Sequence, residues 1–487
     1  MLNRKKMGIA LAATVMVGIH SLVPFHTLAE ENKGEMAVQQ LVQQGVLVGY
    51  GDGTLKPEKR VTQAELAHMI VLSLGLKDHA GATDGLNATE SNQWYYENVN
   101  KVLALGIMEK ENGKFHPHAP VTQDELAEIV AKALQRDVMS VKYWMNDFNS
   151  DKNQVTRGEV AQLLITAQKS IRSENAEIVE MQPLNKITLQ IKFSAPLTLK
   201  DESLETAIGN FAFDHGLTIV NQPRLKTGSL ATYIVPTATQ NPDIAYMLNY
   251  KGKQAVSFGG SEEKITMNEA RQVAFDTFEV DSLKEDGVVD YGYVISAYSA
   301  MRGKHALILD DLSHNQGKSY EVISSLRNRS VTITPEGEEP MVANYVGFTQ
   351  STDGKQEPKF RLPQGMELKP GVKYTVTSDW MTIKEASFVA VDTAPLEIKR
   401  ADQVDASKFA VTLKEDPKDE MFAFRQVKLK GTDGTEMMAE YELQSRKGDT
   451  GLFMIKGDGA FTPGMTYQIE PVGKWAKADG IFLKVKK

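Results

Sequence analysis

The stretch at residues 45–66, GVLVGYGDGTLKPEKRVTQAEL, constrains the fold more than any other part of the chain, because it carries three local instructions that agree. An apolar run ends at Gly45, the residue type that closes a helix in the left-handed conformation, so a first helix stops there. Gly49, Gly51, Asp52 and Gly53 supply tight-turn positions, and Pro57 keeps the chain from re-entering a helix early. Thr62-Gln-Ala-Glu65 is a capping box, in which the Glu65 amide donates to the Thr62 hydroxyl while the Thr62 amide donates to the Glu65 carboxylate, so a second helix starts at Thr62. The stretch is echoed at residues 112–125, where Pro117, Thr122 and Glu125 each lie 60 residues after Pro57, Thr62 and Glu65. Regularity of that kind signals a repeat architecture. A third fragment, Val155-Thr-Arg-Gly-Glu159, repeats the box 34 residues after Thr122 without a Gly-rich loop before it, and reads as a truncated repeat.

These three stretches resemble S-layer homology (SLH) repeats, whose pattern is a helix, a G-x-x-D-G-x-[FL]-x-P loop and a T-R-A-E box opening a second helix. Gly49-Tyr-Gly-Asp-Gly-Thr-Leu-Lys-Pro57 fits the loop closely, and residues 92–107, NQWYYENVNKVLALGI, resemble the aromatic-led first helix with its closing Gly-Ile. The resemblance covers residues 30–172, in repeats at about 34–76, 92–135 and 141–172. It implies a non-covalent anchor that binds secondary cell-wall polysaccharide, typically pyruvylated, in grooves between repeats.

Other features of the chain leave room for such an anchor. Residues 1–29 read as a secretory signal, with Arg4, Lys5 and Lys6, an apolar run over 7–19, Pro24, and small Ala29 at the cleavage point. The run is too short to span a membrane. Removing it takes the formal charge from −8 to −11, an acidic balance poorly suited to nucleic acid. The absence of cysteine excludes disulfides, Cys-ligated metals, a Cys nucleophile and the lipid-bearing cysteine of a lipoprotein. The final residues, IFLKVKK, carry neither a second apolar span nor a Leu-Pro-x-Thr-Gly sorting pattern, so retention at a surface calls for a binding module.

Helices are expected at 34–44, 62–74, 95–105, 122–134 and 156–171, each too short to bury its apolar stripe alone. After Arg172 the period changes. Ile187, Leu189, Ile191 and Phe193 alternate along one strand face, and strand-like segments follow at 217–220, 231–235, 293–297, 306–309, 330–333, 409–413 and 425–429. A second echo, Pro242-x-x-x-Tyr246, Pro370-Gly-Val-Lys-Tyr374 and Pro463-Gly-Met-Thr-Tyr467, points to repeated β-modules. The expected fold is multidomain, α plus all-β: an N-terminal helical SLH repeat bundle followed by about three immunoglobulin-like β-sandwich modules, at 173–278, 279–392 and 393–487. Residues 267–275 read as a short helix or linker.

For the polysaccharide the resemblance singles out the first turn of each second helix. A carboxylate-bearing sugar suits a helix N-terminus with free amides, and an Arg in the first turn adds a charge-assisted contact. Arg157 after Thr156 keeps that Arg, whereas Gln63 and Gln123 replace it in the other two boxes and contribute no charge. Asp52 and Gly53 are turn formers first, with loop amides near the ligand as a second role. Trp94 and Trp144 offer stacking faces, against the alternative that an aromatic at a helix start belongs to the core.

No Gly-x-Ser-x-Gly, His-Glu-x-x-His, P-loop or dinucleotide-binding pattern occurs, which argues against an enzyme. No cofactor is implied. Calcium is the only metal the pattern admits: residues 147–153 alternate oxygens but place Lys152 where an EF-hand needs Gly, and Asp310-Asp311 and residues 415–420 are further acidic turns. The expected function is a structural surface protein, the helical module gripping wall glycopolymer and the acidic β-modules projecting as lattice-forming or spacer domains. The alternatives for the β-region are an adhesin and, more distantly, a wall-active hydrolase.

Overall fold

The computed structural model describes residues 25–77, 86, 91–148, 154–226, 228–282, 325–347, 357–418 and 421–487, with side chains from residue 33 onward. It divides into two compact units, one of residues 1–126 with 148–166 and one of residues 127–147 with 167–487. No helix among the described residues is long and apolar enough to cross a membrane. The strands expected at 293–297 and 306–309, and the acidic pair Asp310-Asp311, lie outside the described residues.

Six helices cover the N-terminal third: α1 (Phe25–Gln43), α2 (Gln63–Leu74), α3 (Tyr96–Ala104), α4 (Gln123–Leu134), α5 (Val138–Trp144) and α6 (Arg157–Gln168). The repeat is visible in hydrogen bonds as well as in letters. After α1, Gly45 (φ +73°) donates to Val42 and Val46 donates to Leu41; after α3, Gly106 (φ +65°) donates to Leu103 and Ile107 to Val102. Both are Schellman closures, which need the left-handed residue that glycine supplies. All three capping boxes form. Thr62, Thr122 and Thr156 accept from Glu65, Glu125 and Glu159 at 3.3, 3.2 and 3.3 Å, and each Thr amide donates back to the carboxylate.

Immediately before each box stands a valine, and the three valines form a ring. The Val61 amide donates to Val155 (3.1 Å), Val155 to Val121 (3.0 Å) and Val121 to Val61 (3.0 Å). All three side chains are buried. Alongside them Gly158 on α6 approaches Gly34 on α1 so closely that a Cβ at 158 would stand 3.0 Å from the Gly34 Cα. α5 was not anticipated as a separate helix; Asp137 caps it by accepting from the Ser140 amide at 2.7 Å.

From Ala176 onward the chain is β-rich, with three buried apolar clusters. The first surrounds a four-stranded sheet in the order Ile178–Asn185, Thr188–Phe193, Thr232–Pro236, Arg224–Leu225, beside a three-stranded sheet of Phe211–Phe213, Ala245–Tyr250 and Gln254–Gly259. Ile187, Leu189, Ile191 and Phe193 are all buried, as their alternation demands. The second is an eight-stranded sheet that begins with a parallel pair, Met381–Glu385 on Ile265–Gln272. The third, also eight-stranded, returns on itself through the pairing of Leu396–Gln403 with Lys408–Leu413 and is barrel-like.

Two expectations need correction. Residues 267–275 are neither helix nor linker, because Ile265–Gln272 is a strand paired with Thr277–Ser282. Its register shifts between Met267 and Ala270, and this bulge breaks the alternation that would have identified it. Residues 217–220 form no strand and contribute only an isolated bridge, Ile219 to Thr237.

The Pro-x-x-x-Tyr echo has one physical meaning throughout. The buried hydroxyls of Tyr246, Tyr374 and Tyr467 accept from the amides of Asn241, Lys369 and Thr462, in each case five residues upstream, at 2.9, 2.8 and 3.1 Å. Each ring pins the turn that opens its strand, as in the tyrosine corner of β-sandwiches. Sheet margins carry a second recurrent device. The Gln254 side-chain amide pairs with both main-chain groups of Ile178, and the Gln272 amide with both main-chain groups of Val391.

Tyr467→Phe, which removes the acceptor of the Thr462 amide, is expected to lower stability by about 1 kcal/mol in denaturant unfolding. Gly158→Val, by overpacking the approach to α1, is expected to cost about 1–3 kcal/mol, read as loss of the helical signal at lower denaturant.

Candidate functional site

The valine ring dictates what the helix N-termini can do. With Val61 and Val155 joined, the first-turn amides of α6 face the loop of the first repeat: Arg157 donates to Lys59 and Gly158 to Pro57, both at 2.8 Å. By the same geometry Gln63 donates to Ala119 (2.9 Å) and Ala64 to Pro117 (3.0 Å). The third amide of each helix is held by its capping threonine. The expectation of free amides awaiting a carboxylate is therefore wrong for α2 and α6, because carbonyls of the neighbouring loop fill those positions.

The loop of the first repeat builds a cationic cradle around Tyr50. Its turn is set by Asp52, whose carboxylate accepts from the Thr54 amide (3.0 Å) and hydroxyl (2.7 Å), and by Gly53 at φ +78°, whose amide donates to Tyr50. The Thr54 hydrogen bonds and then Lys56 hold the Asp52 carboxyl well below the usual range. Asp52 and Gly53 are thus both committed to the turn.

Three cations approach the Tyr50 ring: Lys56 Nζ at 4.3 Å, Lys59 Nζ at 5.3 Å and the Arg157 guanidinium carbon at 5.4 Å from its centroid. Each such contact contributes about 0.5–1 kcal/mol at an exposed site and more when desolvated. Two of the charges are balanced, Lys56 by Asp52 (3.0 Å) and Lys59 by Glu65 (2.7 Å). Burial pushes the Glu65 carboxyl up, but Lys59 and the Thr62 amide outweigh it and keep it below its ordinary value. Arg157 is different. Only 8% exposed, it donates from Nη2 to the Val48 carbonyl at 2.7 Å, has no carboxylate partner among the described residues, and leaves Nε without an acceptor. The uncompensated charge of the cradle is therefore the arginine's. A buried donor lacking a partner is a condition that an incoming acceptor or a water relieves.

His68 on α2 and Asn98 on α3 stand beside this charge. Asn98 Nδ2 donates to His68 Nδ1 at 3.0 Å, which leaves Nε2 as the protonated nitrogen of the neutral ring. Trp94 lies edge-to-face against His68 (6.1 Å) and Tyr95 (5.6 Å) and is 59% exposed, so its indole is available as a platform.

The remaining sequence candidates divide. Thr156 is buried, with its hydroxyl paired to Glu159. The Gln63 side chain is half-buried and, as expected, brings no charge. Gln123 opens α4 at the position corresponding to Arg157; residues 149–153, which hold most of the proposed calcium site, lie outside the described residues. Trp144 belongs to the second unit, where its indole donates to the Gly228 carbonyl (2.8 Å) under the Arg136 guanidinium (4.8 Å); it is a packing residue. No group of acidic or histidine side chains able to hold a metal occurs among the described residues. Tyr50, Lys56, Lys59 and His68 escaped the sequence reading, although an aromatic followed within nine residues by two lysines around a proline was a signal.

A family model described as the S-layer homology domain matches residues 35–67 and 89–127. The chain thus carries S-layer homology domains, and Arg157 lies beyond the matched spans. A 125 kDa surface-layer protein of Lysinibacillus sphaericus is 25% identical over 306 residues, covering 56% of this chain and 26% of that protein. The S-layer protein sap of Bacillus anthracis is 21% identical over 298 residues, covering 54% and 36%. An amylopullulanase of Thermoanaerobacterium thermosulfurigenes is 22% identical over 167 residues, covering 31% and 9%. The relatives matched over more than half of this chain are surface-layer proteins, the hydrolase matching a smaller share, and the chain spans only about a quarter to a third of those surface-layer relatives' length.

Burial, and secondarily the charge of Arg157, holds His68 below its ordinary 6.5. The unfolded chain therefore binds more protons between that lowered value and 6.5, so the stability due to neutral His68 is complete above pH 6.5 and is lost as pH falls. His68→Gln is expected to flatten the fall in helical-unit stability between neutral and mildly acidic pH, measured by denaturant titration of the circular-dichroism signal.

Proposed function

We propose that this chain, an S-layer homology domain protein similar over more than half its length to surface-layer proteins, docks non-covalently on the cell wall by gripping an acidic, pyruvylated secondary polysaccharide in the cradle of its first repeat. The observation that carries this reading is the unbalanced Arg157 charge beside Tyr50, where the two lysines that approach the same ring are already paired. A ketal carboxylate entering there exchanges water for charge-assisted hydrogen bonds in a partly desolvated setting. Arg157 supplies the charge, and Lys56 and Lys59, each with side chains 43% exposed, form the outer rim. Neutral His68 offers an Nε2 donor to a ring hydroxyl, and Trp94 offers its face to the apolar side of a sugar.

Charge asymmetry between the repeats supports one strong groove. Where α6 presents Arg157 to the first loop, α2 presents Gln63 to the second, and an amide cannot replace a guanidinium toward a carboxylate. The β-rich region follows as three immunoglobulin-like modules, the acidic outward part of a surface-layer protein, built for spacing or lattice contact. The first module boundary, expected at 278, moves to just before Ile265, because Ile265–Gln272 pairs within the second sheet; a second boundary near 392 and self-assembly belong to the same proposal.

The chain is expected to sediment with purified cell walls, and chemical removal of pyruvate from the wall polymer should abolish sedimentation; undiminished binding to depyruvylated walls rejects the ligand. Arg157→Ala is expected to weaken binding at least about tenfold, the loss of one charge-assisted contact, and Gln63→Ala far less. Because Arg157 is buried, circular dichroism must show the variant folded, and equal affinities for the two folded variants would place the site elsewhere.

A further inference from the structure

The β-rich unit has an arginine buried at each of its internal junctions. At the first, the elbow between α4 and α5 meets the hairpin at 226–232. Arg136 donates to the Ser170 hydroxyl (2.7 Å) and to the carbonyls of Leu230 (3.1 Å), Lys226 (3.2 Å) and Ser229, with Trp144 stacked on its guanidinium. The hairpin tip answers: the Gly228 amide donates to the Ser140 hydroxyl at 3.0 Å, and a Cβ on Gly228 would stand 2.7 Å from the Tyr143 ring. At the second junction, Arg329 of the second β-domain donates to the Thr237 carbonyl of the first, and Asn221 donates to Ser325 at 2.9 Å. Ile187 and Ile234 of the first domain share the second domain's apolar cluster. At the third, Arg425 grips Asp276 bidentately at 2.7 and 2.8 Å, and Arg361 donates across to the Ala423 carbonyl at 2.8 Å. Phe275 packs from the second domain onto the third domain's core.

Neighbouring β-domains in a chain move relative to one another unless their interface is large or tightly bonded. Here each interface contains a planar cation taken out of water, whose terminal N–H groups reach across the junction and are met only if the two sides keep one orientation. Opening a junction strands that cation, or the main-chain carbonyls it serves, without partners. Arg136 and Arg329 are pushed down to about 10 by burial and so stay charged at physiological pH. Arg136 and Arg425 reach groups in turns, and Arg329 reaches Thr237, one residue beyond the strand Thr232–Pro236.

We propose that residues 127–147 and 167–487 act as one stiff strut, with the α5 bracket and the successive β-domains latched in fixed orientation by Arg136, Arg329 and the Arg425–Asp276 pair. The proposal goes beyond the wall-binding reading and is independent of the sugar. A strut of this kind holds whatever its far end contacts at a set angle and distance, which a string of freely jointed modules cannot do.

The chain has no cysteine, so a single introduced pair can be spin-labelled without background. Val342→Cys and Met454→Cys, exposed on strands of the second and third domains, report their separation by double electron–electron resonance in the full chain. A single narrow distance distribution is expected. It should broaden when Asp276→Asn and Arg425→Met are introduced together, which removes the latch without stranding a buried charge. A broad distribution in the parent chain overturns the strut, and a narrow one that survives the double substitution overturns the latch. Should the double variant lose the near-ultraviolet signal of buried Trp475, the same comparison is read on Arg361→Gln, which removes the guanidinium donor to Ala423 across the junction together with its bond to the Thr277 hydroxyl within the second domain.

Discussion

The ring of three hydrogen bonds joining Val61, Val121 and Val155 is the constraint on which the helical unit depends. Each valine precedes a capping threonine, so closing the ring brings three helix starts to one point and sets which loop each faces. Carbonyls at 57, 59, 117 and 119 then fall within reach of first-turn amides, and the helix ends are satisfied internally. Had the ring been absent, those amides would have been open to water and to anions. Because it is present, any charged ligand would have to be met by side chains, and the ring carries against Tyr50 a buried arginine with no carboxylate partner among the described residues.

Local features of the sequence were legible, and features assembled from distant segments were not. The capping boxes and the Schellman glycines are each written within a few residues, the 60-residue period repeats them, and the structure has each of them. The alternation at 187–193 and the Pro-x-x-x-Tyr echo were equally readable, the latter as a marker without its mechanism. The cradle could not be read in this way. It draws Tyr50 and two lysines from a loop, His68 and Trp94 from near two helices, and Arg157 from more than a hundred residues away, so no window of sequence contains it. The first-turn amides were misread for the same reason, since their acceptors belong to another repeat. The strand at 265–272 was missed because a bulge shifts its buried positions from a two-residue to a three-residue step, and α5 because its signal is a single aspartate.

In the β-rich unit the tyrosine hydroxyls and the arginine latches divide the work between two scales. Tyr246, Tyr374 and Tyr467 each fix one turn inside one domain, through a contact only five residues long. Arg136, Arg329 and Arg425 act between segments far apart in sequence, where the alternative to a buried hydrogen bond is a buried cation without one. Such contacts are costly to break and add little if the geometry is loose. They therefore do more for the arrangement of the domains than for the stability of any one of them.

The side-chain amides of Gln254 and Gln272 mimic a neighbouring peptide group, each engaging both the N–H and the C=O of a main-chain position at a sheet margin. An intruding strand would have to displace a partner already covalently tethered in place. Margins sealed from within resist indiscriminate zippering into fibrils, and any ordered array is left to form through faces whose side chains carry the specificity.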